Sequence, residues 1–334
     1  MITKKTPLLS VPTHVITGFL GVGKSSVILE LLNNKPKDER WAILVNEFGE
    51  IGVDGSLFEG QYRSTKGVFI SEVPGGCMCC AAGVPMQIAL NQLLRQAKPD
   101  RLLIEPTGLG HPKEILQVLS GPHYKKVLLL QKTVTLVDAR KLVDQRYTSH
   151  EIFNQQIAIA DIVLGNKADL YQAGDKQRLL NYVKATSQAS TQVIFSDQGD
   201  VSLAQLQGSA SIKPSSVKPH HHHAINKQAL SEMIIPACGF IKAVNSGEGF
   251  ESVGWRFSAS TIFNYTQIAS FLSALKVERI KAVLNTNEGV FSFNMSDKTL
   301  TEKSLKHCHE SRIEIINRQL EQPLEQQLMA CICS

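Results

Sequence analysis

From residue 14 to about residue 196, short apolar runs alternate with stretches whose apolar residues recur at helical spacing. Trp41-Ala42-Ile43-Leu44-Val45, Arg101-Leu102-Leu103-Ile104, Asp161-Ile162-Val163-Leu164 and Gln192-Val193-Ile194-Phe195 carry continuous rather than alternating apolar character, the pattern of strands buried on both faces. Between them, Met86, Ala89, Leu90, Leu93, Leu94 and Ala97 share one face of a helix that Lys98-Pro99 ends. Alternation of this kind predicts an α/β domain: a mostly parallel sheet covered by helices, with ligands at the carboxyl ends of its strands. After Ser196 the pattern decays. Gln207 to Pro219 has the composition of a linker and runs into His220-His221-His222-His223. Order returns near Ala237. Trp255–Ala259, Arg279–Leu284, Gly289–Phe293 and Arg312–Ile316 read as strands and Gln267–Leu275 as a helix, which predicts a smaller α+β domain. The expected division is a first domain over residues 1–205, a His-containing linker over 206–236 and a second domain over 237–334.

Composition narrows this picture. The 334 residues suffice for two domains with a core in each, and 43% hydrophobic with 19% charged content describes a soluble globular chain. The net charge of +5 is not gathered into a basic run, which argues against nucleic acid as a partner. No apolar stretch has spanning length, which argues against a membrane protein. Met1 to Pro12 lacks the apolar core of a signal peptide. The seven cysteines form an odd, clustered set. That points to thiols and metal in a reducing cytoplasm rather than to a disulfide framework. Oligomeric state is left open, a homo-oligomer included.

The chemistry begins at Gly18-Phe19-Leu20-Gly21-Val22-Gly23-Lys24-Ser25, which satisfies the phosphate-binding pattern G-x-x-x-x-G-K-[ST] between the apolar run His14–Thr17 and the helix-like run Ser26–Leu32. Gly18, Gly21 and Gly23 let the backbone turn tightly, so that successive N–H groups from Val22 to Ser26 face phosphate oxygens at a helix N-terminus. Lys24 is expected to reach the β- and γ-phosphates, and Ser25 to ligate Mg²⁺. Glu105, at the end of Arg101–Ile104 in Glu105-Pro106-Thr107-Gly108, is the candidate second holder of Mg²⁺, and Gly108 can offer its N–H to the γ-phosphate. Asn166-Lys167-Ala168-Asp169 matches N-K-x-D. The Asp169 carboxylate can accept from the N1–H and exocyclic amine of guanine, whereas adenine would leave it unpaired. Substrate and product are therefore expected to be GTP and GDP. Asn46-Glu47-Phe48-Gly49-Glu50 closes Trp41–Val45; Glu47 and Glu50 are placed to polarise water, hold Mg²⁺ or bind a second metal. No glutamine follows Gly108 and no arginine finger can be assigned, so turnover is expected to be slow, on the order of 10⁻² s⁻¹ or below.

Gly75-Gly76-Cys77-Met78-Cys79-Cys80 is a second centre. Successive strand residues point to opposite faces, so a C-x-C-C must turn to bring Cys77, Cys79 and Cys80 to one metal, and the two glycines allow it. Three thiolates suit Zn²⁺ and leave its fourth position open, the architecture of a site that releases metal rather than a closed structural one. Thiolates also suit Cu(I), and a redox pair at Cys79 and Cys80 is the competing use. His111 is an auxiliary ligand candidate, though a His so placed more often caps a helix. His220–His223, His307-Cys308-His309 and Cys331-Ile332-Cys333 have ligand-like spacing without a settled role.

Taken together, these motifs resemble the CobW-like family of P-loop GTPases with its G-C-x-C-C metal motif, and within it the YeiR-type zinc-binding GTPases. The residues that carry the resemblance are Thr17–Ser25, Val45–Glu50, Gly75–Cys80, Lys98–Pro112, Asn166–Asp169 and Ser311–Ile316. The resemblance implies a slow GTPase that binds zinc. It also implies a metallochaperone that uses GTP hydrolysis to deliver the metal to a client apo-metalloprotein. A zinc- and GTP-binding switch that reports metal status without delivery is the alternative. A His-rich linker to a small C-terminal domain belongs to the same pattern. This chain departs from it in having only four consecutive histidines there and a Cys331-x-Cys333 tail.

Overall fold

The computed structural model describes residues 9–45, 67–73, 84–211, 234–247, 249–296, 299–320 and 323–333, and the chain divides into two compact units. In the first, eight strands form one sheet in the order β3-β2-β4-β1-β6-β7-β8, with β5 also against β1. The strands are β1 (Val11–Gly18), β2 (Trp41–Val45), β3 (Val68–Glu72), β4 (Arg101–Glu105), β5 (Leu128–Leu130), β6 (Val134–Val137), β7 (Ile162–Gly165) and β8 (Gln192–Phe195). The pairs β1–β4, β1–β5, β1–β6, β6–β7 and β7–β8 are parallel. Every residue of β2, β4, β6 and β7 is buried, which is why these strands are mostly apolar rather than alternating. The helices that bear on the site are α1 (Lys24–Asn33), α2 (Val84–Ala97), α3 (Pro112–Leu119), α4 (Glu151–Ala158) and α5 (Asp175–Thr186). α2 buries Met86, Ala89, Leu90, Leu93, Leu94 and Ala97, the face its spacing predicts.

Two strands that flank β1, β5 and β6, are absent from the expectations. Leu128 to Val137 reads as one apolar stretch interrupted by Gln131, Lys132, Thr133 and Thr135, with no Gly or Pro to mark the break. The segment expected to open the linker is instead hydrogen-bonded to this unit. Lys132 N–H donates to the Gly208 carbonyl (2.8 Å), Gly208 N–H to Gln131 Oε1 (3.2 Å) and Ser211 N–H to Asp161 Oδ1 (2.9 Å). Below the site, Arg101 donates to Nε2 of the fully buried His14 at 3.0 Å, its guanidinium over the Trp41 ring. Burial, and then the adjacent guanidinium charge, hold the His14 imidazole neutral with a pKa down to about 3.

The second unit is a six-stranded sheet in the order β13-β12-β11-β14-β10-β9, and all five of its pairings are antiparallel. Its strands are β9 (Phe240–Gly247), β10 (Phe250–Phe257), β11 (Arg279–Thr286), β12 (Gly289–Ser296), β13 (Thr299–Leu305) and β14 (Ser311–Asn317). Trp255, Phe257, Ile280, Phe293 and Ile313 from the sheet pack with Ile268 and Leu272 of α6 (Tyr265–Ala274) and Leu328 of α7 (Leu324–Met329). The strands β9 and β13, at the two edges, were not expected from sequence. In β13 only Leu305 is buried, so there is no apolar alternation to read.

Candidate functional site

β1 delivers the phosphate-binding loop at the carboxyl edge of the parallel sheet. Gly18 has φ 144° and Gly23 φ 96°, and both glycines are demanded by contact as well as by backbone. A Cβ on Gly18 would lie 2.6 Å from the Leu136 carbonyl oxygen of β6, and one on Gly23 would lie 2.5 Å from Asn166 Nδ2. α1 starts at Lys24, directly after Gly23. The Lys24 ammonium is buried and folded back on the loop, donating to the carbonyls of Gly18 (2.9 Å) and Phe19 (3.3 Å). Ser25 Oγ donates to Glu105 Oε1 at 3.0 Å, so the hydroxyl and the carboxylate nominated for Mg²⁺ touch. Two hard oxygen donors side by side, with the carboxylate 2% exposed, fit a small divalent cation that keeps other positions for water and phosphate. Val22 is buried, whereas Ser26 is exposed.

Glu105 ends β4 and the chain turns through Pro106–Gly110. Leu109 N–H donates to Thr107 Oγ1 and Gly110 N–H to the Thr107 carbonyl, both at 3.1 Å. Gly108 presses on the phosphate loop: a Cβ there would sit 3.0 Å from Leu20 N. His111 occupies the N-cap position of α3, where its carbonyl accepts from Glu114 N–H at 3.1 Å and its side chain makes no cap hydrogen bond.

β7 runs into the second nucleotide-type loop. Asn166, 2% exposed, donates from Nδ2 to the Val22 carbonyl at 2.8 Å and so joins this loop to the phosphate loop. Its buried Oδ1 has no hydrogen-bond partner among the described residues. Lys167 takes a left-handed conformation (φ 59°, ψ 36°), with Nζ 3.9 Å from Asp138 Oδ2. Asp138 is itself held by Arg140, whose Nε and Nη2 donate at 2.9 and 2.6 Å. Asp169 follows in a short 3-10 turn (Ala168–Leu170) and is exposed. Ser196, one residue past β8, was not singled out from sequence. Its carbonyl accepts from Ala168 N–H at 3.0 Å and its hydroxyl donates to the Asp200 carbonyl at 2.8 Å. Only its place at the end of the last strand could have flagged it.

Glu47, Glu50, Cys77, Cys79, Cys80 and His220–His223 lie outside the described residues. Among the described residues, no group of three or more His, Cys, Asp or Glu side chains is arranged to hold a metal. Cys308 Sγ donates to Asn285 Oδ1 at 3.1 Å. It packs against Ala243, Val283 and Leu305, and burial pushes its thiol up to about 11. The flanking His307 and His309 are exposed. Cys331 is buried, with its thiol also raised by burial, and Cys333 is exposed. The C-x-C tail therefore presents two different environments rather than one pair.

The sequence model of a family described as CobW/HypB/UreG, nucleotide-binding domain, matches residues 12–195. The chain is 41% identical over 317 residues to the zinc chaperone YeiR of Escherichia coli (strain K12), a match covering 91% of this chain and 92% of that one. It is 28% identical over 245 residues to the zinc chaperone CobW of Pseudomonas aeruginosa, 65% of each chain. Among solved structures, the Zn(II)-bound YjiA GTPase from E. coli aligns with a TM-score of 0.45 and 21% identity, covering 96% of this chain and 99% of that one.

Proposed function

The chain belongs to the CobW/HypB/UreG family, and from that membership we propose that it is a zinc-binding GTPase that couples GTP hydrolysis to transfer of zinc to a client metalloprotein. The observation that carries the nucleotide half is the Asn166–Val22 hydrogen bond, which ties a guanine-type loop to a phosphate loop in one rigid edge. The zinc half is supported by the near-full-length likeness to a zinc chaperone.

In this reading Asp169 accepts from guanine, and Lys24 exchanges the carbonyls of Gly18 and Phe19 for β- and γ-phosphate oxygens. The backbone N–H groups from Val22 to Ser26 cradle the β-phosphate, and the Gly108 N–H takes a γ-phosphate oxygen. Ser25 and Glu105 would hold Mg²⁺, which neutralises charge on the phosphate oxygens when bound. Glu47 orients the attacking water, and turnover stays slow because no charged group from the chain is assigned to the transition state. Zinc is cargo, taken by the thiolates of Cys77, Cys79 and Cys80, with Glu50 and His111 in reserve as ligands. Residues up to Ser211 form the nucleotide domain, since 208–211 are bonded to it; residues 237–334 form the second domain. A reducing cytoplasm suits the thiolates.

The test is a zinc titration against a chromophoric chelator with GDP bound and with a non-hydrolysable GTP analogue bound. The two states should hold zinc with different affinities, and by linkage zinc should change the nucleotide preference by the same factor. Replacing all three cysteines by Ser should remove the tight site and leave GTP binding in place. Equal zinc affinity and equal release rate in both states would remove the mechanism of delivery.

A further inference from the structure

Gln156 is a polar residue in the middle of α4 and is 0% exposed. Its Nε2 donates to the Gly108 carbonyl at 3.1 Å and to the Gly110 carbonyl at 3.4 Å. The opposite amide orientation would set an oxygen against two carbonyl oxygens, so chemistry dictates which end faces the loop. The other end, Oε1, is buried and takes no hydrogen-bond partner among the described residues. A side chain kept for its donor end alone, at the cost of a stranded acceptor, is more than a packing solution; Leu or Met would fill the volume without that cost.

The anchoring on either side is as specific. The Gln156 carbonyl accepts from Thr135 Oγ1 of β6 at 2.6 Å, which fixes the helix turn to the sheet. The same helix reaches the phosphate loop. Phe153 lies 6.0 Å from the Phe19 ring and His150, just before the helix, 4.8 Å from it, both edge-on. One element thus touches the phosphate loop and grips the turn that follows β4.

Peptide planarity supplies the consequence. The Thr107 carbonyl accepts from Gly110 N–H, so the Gly108 N–H, on the opposite side of that peptide plane, points away from the turn. With the carbonyls of Gly108 and Gly110 held by Gln156, the planes on the far side of Gly108 are fixed as well. We infer that Gln156 is a positioning residue that preorganises the 107–110 turn, so that the Gly108 N–H meets the γ-phosphate of a nucleoside triphosphate without reorganisation. It thereby sets the preference for triphosphate over diphosphate. This rests on the GTPase reading above.

The experiment measures dissociation constants for GDP and for a non-hydrolysable GTP analogue, with steady-state kcat and KM, in wild type, Gln156→Met and Gln156→Glu. Both variants conserve side-chain length; the first lacks a donor and the second sets a carboxylate against two carbonyls. GDP affinity should stay within about twofold, while affinity for the analogue falls about tenfold in Met, the scale of losing one or two buried hydrogen bonds, and further in Glu. kcat should fall with it. Equal shifts for both nucleotides, or no shift for either, would overturn the inference. A wild type that binds neither guanine nucleotide would overturn the GTPase reading itself, and the inference with it. If neither variant folds, amide exchange on the wild type decides. The Gly110 N–H should already be protected with GDP bound, and rapid exchange there that is slowed only by the analogue would show that the turn is not preorganised.

Discussion

Asn166→Ala should separate nucleotide binding from stability. The substitution strips a donor at 2.8 Å from the Val22 carbonyl, a loss of about 1–3 kcal/mol if that oxygen is left unsatisfied. It also deletes Oδ1, a buried acceptor without a partner among the described residues, and recovers a desolvation cost of similar size, about 1–3 kcal/mol. The two nearly cancel in the free protein. The net change in stability should be about 1 kcal/mol or less, a shift of about 2–4 °C in the melting temperature for a unit of this size. No such cancellation operates with nucleotide bound. There the loop beneath the phosphates loses its strut to the Val22 carbonyl, so GDP and GTP should both bind about 10- to 100-fold more weakly, or roughly 1.4–2.8 kcal/mol. The assay is a titration with a fluorescent GDP, competed by GTP, beside a thermal melt without nucleotide. A drop of more than about 8 °C with GDP affinity unchanged would make Asn166 a structural residue only. Loss of GTP binding alone would show that it reads the γ-phosphate and not the shared part of the ligand.

Asp169→Asn should admit xanthine nucleotides, because the amide donor matches the extra xanthine carbonyl; equal turnover of ATP and GTP by the wild type would remove the basis for the assignment. Lys24→Ala should abolish most triphosphate binding, and the wild type should turn over at about 10⁻² s⁻¹ or slower; tens per second would reveal an unassigned catalytic group. His14 couples stability to pH. Its folded pKa, about 3, lies below the unfolded value of 6.5, so its contribution is intact above pH 6.5 and is lost as pH falls, because the unfolded chain then binds the proton. Between pH 7 and pH 5 that amounts to about 2 kcal/mol. Urea unfolding of wild type and His14→Gln at both pH values should show the variant losing about that much less. Equal losses would mean that His14 is not neutral in the fold.

What the sequence reveals and conceals follows from where the physical signal lies. β2 and β8 coincide with the runs Trp41–Val45 and Gln192–Phe195, and α2 matches its apolar face, because burial imposes those patterns directly. β13 escapes because an edge strand with Glu302 and Lys303 exposed is held by backbone pairing, and backbone leaves no mark on composition. The phosphate loop, Glu105 and Asn166 are legible because phosphate and base chemistry constrain residue type at fixed spacing. Gln156 is not, since one glutamine on a helix has no partner in the sequence; its meaning comes from carbonyls that lie 48 and 46 residues away. Ser196 is hidden for a related reason, contributing its backbone carbonyl to Ala168, a role any residue type could fill.

The neighbours of β1 have a consequence for how the protein is made. The strand that carries the phosphate loop lies between β4 and β6, and Gly18 closes against Leu136 of β6. A ribosome that has finished Gly18 must still add every residue to Val137 before that strand has both partners. At about 5–20 residues per second this is roughly 6–24 s. Until β6 is made, a nascent strand that is buried at every position but Pro12 in the finished protein, Val15 and Ile16 included, can pair on its β4 side alone, and the contact that closes Gly18 against Leu136 does not yet exist. Nucleotide, which needs that loop closed, can therefore stabilise the sheet only after β6 has been made, although the strand that carries the loop is the first to be synthesised.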